Sequence, residues 1–190
     1  MNKTKMKLLN GCATVIPGVL PQEKKGKKLL SYIAILPGQL TQRGLEGDFG
    51  VLLRVVPCME EQFLQLGDVL IKRLNPDCAV VYEGNAKQVI PSANVFVIRP
   101  KVELDSCYLA FLLEKSKLIQ RISQLSGVGT TVAAVTASQI GGGTIPLPPL
   151  AQQRELGQLW HLAKRKDELL RSMIFENDRL LRALCGKLFQ

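Results

Sequence analysis

The side chains that most often carry catalysis or hold metals are few in this sequence of 190 residues. His161 is the single histidine, and none of the cysteines forms a C-x-x-C pair. The five cysteines are Cys12, Cys58, Cys78, Cys107 and Cys185. A structural zinc site needs clustered thiolates or imidazoles, so we expect free thiols in a reducing compartment and no bound metal.

Motifs for nucleotide binding and for common enzyme reactions are missing as well. The glycine run 141–143 is not followed by Lys-Ser or Lys-Thr and forms no G-x-G-x-x-G, so we interpret it as a flexible hinge. His161 falls on the outer face of a predicted helix, which argues against a histidine-based triad. The sequence has no Asn-Pro-Pro-aromatic tetrapeptide of the amino-methyltransferase kind and no compelling nuclease-like acidic cluster with a lysine. It therefore predicts a non-catalytic protein without a cofactor.

Positive charge is concentrated at the two ends of the chain. The net charge is +9, from 25 basic and 16 acidic residues. Residues 1–28 hold seven lysines and one glutamate, and residues 150–190 hold eight basic and five acidic residues. The middle, residues 29–149, holds ten of each and is neutral. An excess of this size suits a polyanionic partner such as nucleic acid.

The sequence shows no signal for a membrane or for secretion. It has no run of eighteen or more uncharged apolar residues, so no membrane span is expected. The apolar stretch 11–20 after the basic start is short and contains Pro17 and Gly18, which makes a poor secretory signal. We therefore expect a cytoplasmic protein.

The elements that would position these side chains are mostly short strands from about residue 7 to residue 100. The runs rich in β-branched and aromatic residues are 31–36, 51–56, 69–72, 79–82 and 94–98. A helix capped by Asp105 or Ser106 should follow, with apolar residues recurring to Leu125 and a break near residues 116–117. A small, polar stretch, residues 126–144, comes next.

A long helix is predicted for the C-terminal part. Pro146 and Pro148 favour extended backbone before it, and Pro149 suits its first turn, where no backbone N–H is needed. No proline follows, so thirty-odd helical residues would span about 55 Å, too long for a core of this size to cover.

Apolar residues recur along this helix at a and d positions of a heptad, widened at e. Asn177 stands at an a position, where it would cost stability but could fix the register, and Lys166 and Lys187 interrupt at d. The predicted dimerisation stripe is Leu156, Leu159, Trp160, Ala163, Leu170, Met173, Ile174, Asn177, Leu180, Leu181, Leu184 and Leu188. The pattern predicts a partner helix. The alternative is that the helix packs only on its own domain, which would also require an apolar face.

Four short segments, in this order before the long helix, resemble a known family. They are residues 67–71 (Gly-Asp-Val-Leu-Ile), 92–100 (Ser-Ala-Asn-Val-Phe-Val-Ile-Arg-Pro), 108–113 (Tyr-Leu-Ala-Phe-Leu-Leu) and, after a Gly-Thr-rich stretch, 145–153 (Ile-Pro-Leu-Pro-Pro-Leu-Ala-Gln-Gln). The series resembles the target-recognition domain of type I restriction–modification specificity subunits. The resemblance extends from about Leu66 to the C-terminus and is thin before it.

The resemblance implies an α/β (mixed α+β) fold with a mixed sheet and flanking helices. It divides the chain into a DNA target-recognition domain, residues 1–145, and a coiled-coil-type spacer or dimerisation helix, residues 146–190. Family subunits carry two such units whose helices pair antiparallel, whereas this chain has one unit and no internal repeat. It thus resembles a half-subunit, expected to form a homodimer or to pair with another specificity protein.

The resemblance also implies a division of labour in phage defence. The chain would choose a site on double-stranded DNA, while separate methyltransferase and restriction subunits methylate adenine and cleave. The recognition loops vary within the family, so DNA contacts are inferred from chemistry alone. Lys24, Lys25, Lys27 and Lys28 are candidates for phosphates. Candidates for the DNA face are Gln42, Arg43, Lys72, Arg73, Asn75, Ser126, Thr130 and Thr131.

Two other functions fit the same pattern. The neutral middle of the chain would suit a pure interaction protein that keeps the fold and the pairing helix without contacting DNA. The domain could also be the recognition subunit of another phage-defence complex. Any of these candidate side chains could equally be a solvated loop charge.

Overall fold

The computed structural model describes residues 5–21, 28–48, 51–84, 87–115, 118 and 134–188. The strands are β1 (Lys5–Leu8), β2 (Ala13–Pro17), β3 (Leu30–Ile35), β4 (Leu40–Thr41), β5 (Gly44–Leu45), β6 (Leu52–Val55), β7 (Val69–Lys72), β8 (Ala79–Val81), β9 (Val89–Pro91), β10 (Val95–Pro100) and β11 (Thr144–Leu147). The α-helices are α1 (Leu9–Cys12), α2 (Ser106–Lys115), α3 (Ala137–Gly141) and α4 (Leu150–Leu188). Single 3₁₀ turns lie at Pro37–Gln39 and Glu60–Gln62. The predicted mixed α/β fold with a long C-terminal helix is confirmed.

The centre of the domain is a four-stranded antiparallel sheet in the order β2-β10-β7-β8. Its inner strands contain the continuous apolar runs 69–71 and 95–98, which are buried on both faces of the sheet. One face packs against α1, α2 and the start of α4 through a core that includes Ile71, Ile98, Leu109 and Trp160. The opposite face, with Leu70 and Val97, packs toward the smaller sheet.

The smaller sheet has the order β6-β3-β9, in which β3 and β9 are parallel. Two antiparallel pairs complete the domain: β4 with β5, and β1 with β11. The β1–β11 pair ties the start of the described chain to the segment that leads into α4, with Lys7 opposite Ile145.

Several sequence expectations are corrected by the structure. The glycines 141–143 are not a hinge but end α3, and the Gly143 carbonyl accepts a hydrogen bond of 2.8 Å from the Leu9 N–H. Pro149 precedes the first turn of α4 rather than lying in it, and its carbonyl accepts from the Gln153 N–H at 3.1 Å. The predicted helix break at residues 116–117 and the apolar residues 119, 122 and 125 lie outside the described residues.

The cap of α2 follows the first of the two predicted alternatives, since the Asp105 carboxylate accepts from the Tyr108 N–H at 2.9 Å. None of the helices in the described ranges is both long enough and apolar enough to cross a membrane.

Candidate nucleic-acid interface and pairing helix

A buried glutamine joins the N-terminal domain to α4. Gln153 is fully buried in the first turn of the helix. Its Nε2 donates to the carbonyls of Glu103 at 3.0 Å and Pro148 at 2.8 Å, and its Oε1 accepts from the Asp105 N–H at 3.0 Å. All three partners belong to the segments that begin α2 and α4, so one side chain fixes both helix starts to each other.

Two further contacts fix the direction of α4. The Tyr108 hydroxyl donates to the Pro146 carbonyl at 3.0 Å. At Gly157 the helix approaches α2 so closely that an added Cβ would lie 2.7 Å from the Tyr108 nitrogen and 2.8 Å from an Asp105 carboxylate oxygen. Only glycine permits this approach, which makes the start of α4 part of the domain.

Trp160 corrects the predicted pairing stripe. Its side chain is only 8% exposed and belongs to the domain core together with Tyr108 and Leu109, so it cannot contact a second helix. Its ring is covered by the Lys164 ammonium, 4.9 Å from the ring centroid, and that ammonium also contacts Glu114 at 2.8 Å. Trp160 is an apolar residue at an e position because this side of α4 packs against the domain of the same chain.

The remaining apolar face of α4 is exposed along its length. The exposed apolar side chains of this face, called here the free stripe, are Leu156, Leu159, Leu162, Ala163, Leu169, Leu170, Met173, Ile174, Leu180, Leu181 and Leu184. Phe175 is also exposed, but it lies on the outer face at the same heptad position as His161. From residue 169 to residue 186 every side chain is exposed, so this half of the helix projects beyond the domain.

These exposures show which residues of the predicted dimerisation stripe lie on the exposed face. Its members from Leu156 to Leu184 lie on the exposed face with Asn177, apart from Trp160, while the side chain of Leu188 lies outside the described residues. Leu162 and Leu169, at g positions, were missed because the heptad was widened only toward e. Beside the domain, the free stripe therefore consists mainly of residues at a, d and g positions. Beyond the domain, it consists mainly of residues at a, d and e positions.

Two of the proposed DNA-facing residues occupy the tight β4–β5 turn. Gln42 and Arg43 are exposed there, and the Thr41 hydroxyl accepts from the Arg43 N–H at 3.0 Å. The Arg43 guanidinium lies 3.4 Å from Glu46. An exposed pair of this length leaves the guanidinium able to exchange to a phosphate.

A second group lies at the β7–β8 loop. Lys72 is partly buried and pairs with Asp77 at 2.9 Å, whereas Arg73 is exposed. Burial alone would raise the pKa of Asp77, but the hydrogen bond from Lys72 and the positive charge outweigh it and lower that pKa. Asn75 is exposed with a φ of 47°, the left-handed conformation that asparagine tolerates in turns. Of this group, Arg73 is the better-presented cation.

The other candidates are placed only in part. Lys28 is exposed before β3. Lys24, Lys25, Lys27, Ser126, Thr130 and Thr131 lie outside the described residues. The described chain resumes at Ala134, which bridges to Leu74, and the Val135 N–H donates to the Arg73 carbonyl at 3.0 Å. The end of the Gly-Thr-rich stretch thus joins the domain beside the β7–β8 loop.

A buried ion pair links two of the segments that carry the resemblance. Asp68 is 1% exposed and accepts from Arg99 Nε and Nη2, both at 2.8 Å, and from the Gln65 N–H at 2.8 Å. Gly67, with a φ of +87°, makes the turn before β7. Arg99 is thus a scaffold residue, a role that its basic side chain alone did not indicate.

A cleft of about 600 Å³ lies between the β4–β5 turn, β8 and α4. On its helix wall Arg165 pairs with Glu168 at 2.5 Å, and the His161 imidazole lies 3.9 Å from Glu83. The exposed position of His161 agrees with its predicted outer face.

The thiols show no sign of nucleophilic activation. Burial raises the pKa of Cys12, Cys58 and Cys107, and it raises the pKa of Cys78 to about 12. A thiol that stays protonated is a poor nucleophile. Within the described ranges, no group of three or more histidine, cysteine, aspartate or glutamate side chains could hold a metal ion.

Comparison with known proteins gives relatives of one kind. No family model matches the chain. It is 25% identical over 101 residues to a protein described as the type I restriction enzyme MjaX specificity subunit, from Methanocaldococcus jannaschii. That match covers 50% of this chain and 24% of the relative.

Solved structures share the fold over nearly the whole chain. A chain from a type I restriction–modification system matches with a TM-score of 0.68 and 18% identity, covering 97% of this chain and 44% of that one. The HsdS subunit from Thermoanaerobacter tengcongensis gives 0.63 and 19%, covering 95% and 47%. The S subunit from M. genitalium gives 0.57 and 13%, covering 94% and 44%. This chain thus spans less than half the length of each, and its resemblance to type I restriction–modification specificity subunits is confirmed in sequence and in fold.

Proposed function

We propose that this chain selects a DNA sequence for a type I restriction–modification complex, and that separate subunits carry out methylation and cleavage. The observation that carries the proposal is a domain with the fold of specificity subunits, attached rigidly to a helix whose exposed free stripe favours a partner. A reading domain must hold its orientation relative to the rest of a complex, and Gln153 and Gly157 provide that rigidity.

The exposed loops on the domain supply the chemistry for DNA contact. Arg43 and Arg73 stand on two different turns, and Lys28 is exposed before β3. In the sequence Lys28 follows three further lysines at 24, 25 and 27, which lie outside the described residues. Cations of this kind position a protein on phosphates, and polar side chains such as Gln42 and Asn75 can read base edges in the major groove.

The free stripe supports pairing with a second copy. At least ten large apolar side chains exposed on one helix form a larger patch than a soluble monomer normally leaves in water. Two copies paired through α4 would place two recognition domains around a twofold axis, which matches a target made of two equivalent half-sites.

Selection from random double-stranded DNA, with the chain mixed with the methyltransferase subunits of its host, tests the proposal. We expect one enriched bipartite sequence and methylation of adenine in it. Equal recovery of all sequences, with or without the methyltransferase, would contradict DNA reading.

A pure interaction protein remains the second candidate, favoured by one observation. Residues 29–149 are electrically neutral, and among their described cations Lys72 and Arg99 pair with acidic side chains of the domain. Such a protein would still pair through α4 but would show no salt-dependent affinity for DNA.

A further inference from the structure

Two polar residues interrupt the free stripe, and their positions are related. Lys166 stands at d and Asn177 at a, and both are exposed. Between them lie Leu170 and Met173, and outside them lie Ala163 and Leu180. The four apolar residues and the two polar ones are thus placed symmetrically about a point midway between Leu170 and Met173.

This symmetry matters when two copies of the helix run in opposite directions. In such a pair a twofold axis crosses the seam, and all a and d residues stay in the seam only if each a faces a d of the partner. An axis midway between Leu170 and Met173 makes Leu170 face the partner's Met173. Ala163 then faces the partner's Leu180, and Leu159 faces the partner's Leu184.

In the same register Lys166 faces the partner's Asn177, twice in the dimer. The lysine ammonium has only donors and the asparagine amide has an acceptor oxygen, so the two can bond inside the seam. Both polar residues of the seam therefore lie in the two equivalent Lys166–Asn177 layers. Every other layer between Leu159 and Leu184 is apolar.

Other arrangements of the same two helices lack this match. A parallel pair in register puts the two Lys166 ammonium groups in one layer, where like charges repel. Sliding the antiparallel pair by one heptad puts Lys166 opposite the partner's Leu170 or Leu184, where an ammonium ion loses water without gaining a bond. A polar seam residue that specifies register at some cost in stability is a known device of coiled coils.

We propose that Lys166 and Asn177 form a polar layer that fixes two copies of this chain antiparallel, with the twofold axis between Leu170 and Met173. The inference rests on the proposed self-pairing. The fold leaves this seam accessible. The domain packs against the face of α4 formed by e and b positions, where Trp160 and Gly157 lie. This face is about 100° around the helix from the a/d seam.

Charge substitutions at the polar layer distinguish the arrangements. In the antiparallel register, Asn177→Asp places a carboxylate opposite the Lys166 ammonium in each layer, so the dimer dissociation constant should fall about tenfold at low salt. Asn177→Lys places two cations in each layer and should raise that constant about tenfold or more. Adding Lys166→Glu to Asn177→Lys restores opposite charges and should return it to about the wild-type value.

Two of these variants give different results in a parallel pair, where equal residues meet. There both Asn177→Asp and the double variant would weaken the dimer. Sedimentation equilibrium of the full chain at low and high salt measures wild type and all three variants. A weaker Asn177→Asp dimer, or no rescue by the double variant, overturns the polar layer.

Disulfide trapping gives an independent readout of the register. Leu159→Cys with Leu184→Cys, in a Cys185→Ser background, should form a covalent dimer on oxidation, since the two positions face each other only between copies. Within one helix they are about 37 Å apart. Leu159→Cys with Asn177→Cys reports a one-heptad slip. Leu184→Cys alone reports a parallel pair, because in the antiparallel register the two Leu184 positions lie about 37 Å apart. Efficient trapping in either overturns the inference.

The outcomes separate this inference from the proposed function. A strict monomer at high concentration overturns self-pairing and the register together. A dimer that fails rescue and trapping overturns the register alone. DNA selection is scored separately, because whether any sequence is enriched does not depend on which helix register is found.

Discussion

Gln153 shows how a single buried amide can determine the geometry of a junction. Its three hydrogen bonds satisfy one N–H and two carbonyls of the segments that begin α2 and α4. Removing a side chain of this kind leaves buried polar groups unpaired, which costs more than the bonds themselves contribute.

We predict that Gln153→Leu lowers the free energy of unfolding by about 2–4 kcal/mol, because the Asp105 N–H and two carbonyls lose their partner without regaining water. Urea unfolding followed by circular dichroism measures the change. Gln152→Leu is the matched control, since this neighbouring side chain is exposed and its replacement should change stability by less than about 0.5 kcal/mol. Equal effects of the two substitutions would refute the role given to Gln153.

Gly157 provides the second prediction at this scale. Replacing glycine by alanine inside a helix normally stabilises it by about 1 kcal/mol. At Gly157 the added methyl group would meet the Tyr108 backbone at 2.7 Å, so Gly157→Ala should instead destabilise the fold by about 1–3 kcal/mol. Gly186→Ala, with no atom within 4 Å of the new Cβ, should be neutral or stabilising in the same unfolding experiment.

At the scale of the element, α4 has two different faces: one packs on its own domain and the other is exposed. The first half packs on α2 through Gln153, Gly157 and Trp160, while the second half packs against no other described element of its own chain. A helix of 39 residues, about 58 Å long, carries both functions because its length exceeds that of the domain.

We predict that Leu170→Asp converts a dimer into a monomer, because the residue lies at the centre of the free stripe and two carboxylates would be buried close to the twofold axis. Ser172→Asp adds the same charge two residues away on the outer face and should leave the dimer intact. Light scattering after size-exclusion chromatography measures both masses. A dimeric Leu170→Asp protein would remove the free stripe from the interface.

The sequence predicted the elements whose periodicity was undisturbed. Strand β7 matches at both ends, because Gly67 forces a turn before an unbroken apolar run. Strands β1 and β11 were missed: β1 is mostly exposed with alternating lysines, and β11 contains Pro146 at a two-stranded edge. Their pairing joins residues far apart in the chain, which local patterns do not encode.

The site was predictable for similar reasons and only in part. Heptad spacing located the exposed face of α4, but spacing cannot tell which flank of that face a domain will cover, so Trp160 was placed wrongly. Polar chemistry selected Gln42, Arg43, Arg73 and Asn75, but their places on the β4–β5 and β7–β8 turns came from the structure. The relation of the β7–β8 loop to the Gly-Thr-rich stretch likewise needed the bridge from Leu74 to Ala134.

For the whole molecule, charge distribution gives a prediction about DNA affinity. If lysines 24, 25, 27 and 28 contact phosphates, replacing all four by glutamine should weaken binding to every sequence. Each lost phosphate contact should also reduce the slope of log affinity against log salt by about 0.9. Arg171→Gln with Arg179→Gln, on the outer face of α4, serves as the control, and fluorescence anisotropy measures both. An unchanged slope would exclude these lysines from the footprint.

The dimer geometry predicts the spacing of the target. With the axis between Leu170 and Met173, the two Trp160 positions where the domains attach lie about 35 Å apart along the helices. That is close to one turn of the duplex, so the two half-sites should be centred about ten base pairs apart on one face of the DNA. Selected sequences with half-sites half a turn further apart would contradict this geometry.

The exposure of the free stripe also has a consequence for the cell that makes this chain. A copy without a partner presents Leu159, Met173 and Leu180 to water on a helix that its own domain does not protect. Proteases and chaperones bind such segments, and aggregation competes with pairing at high concentration. We therefore expect the amount of this protein to follow the supply of its pairing partner rather than its own rate of synthesis.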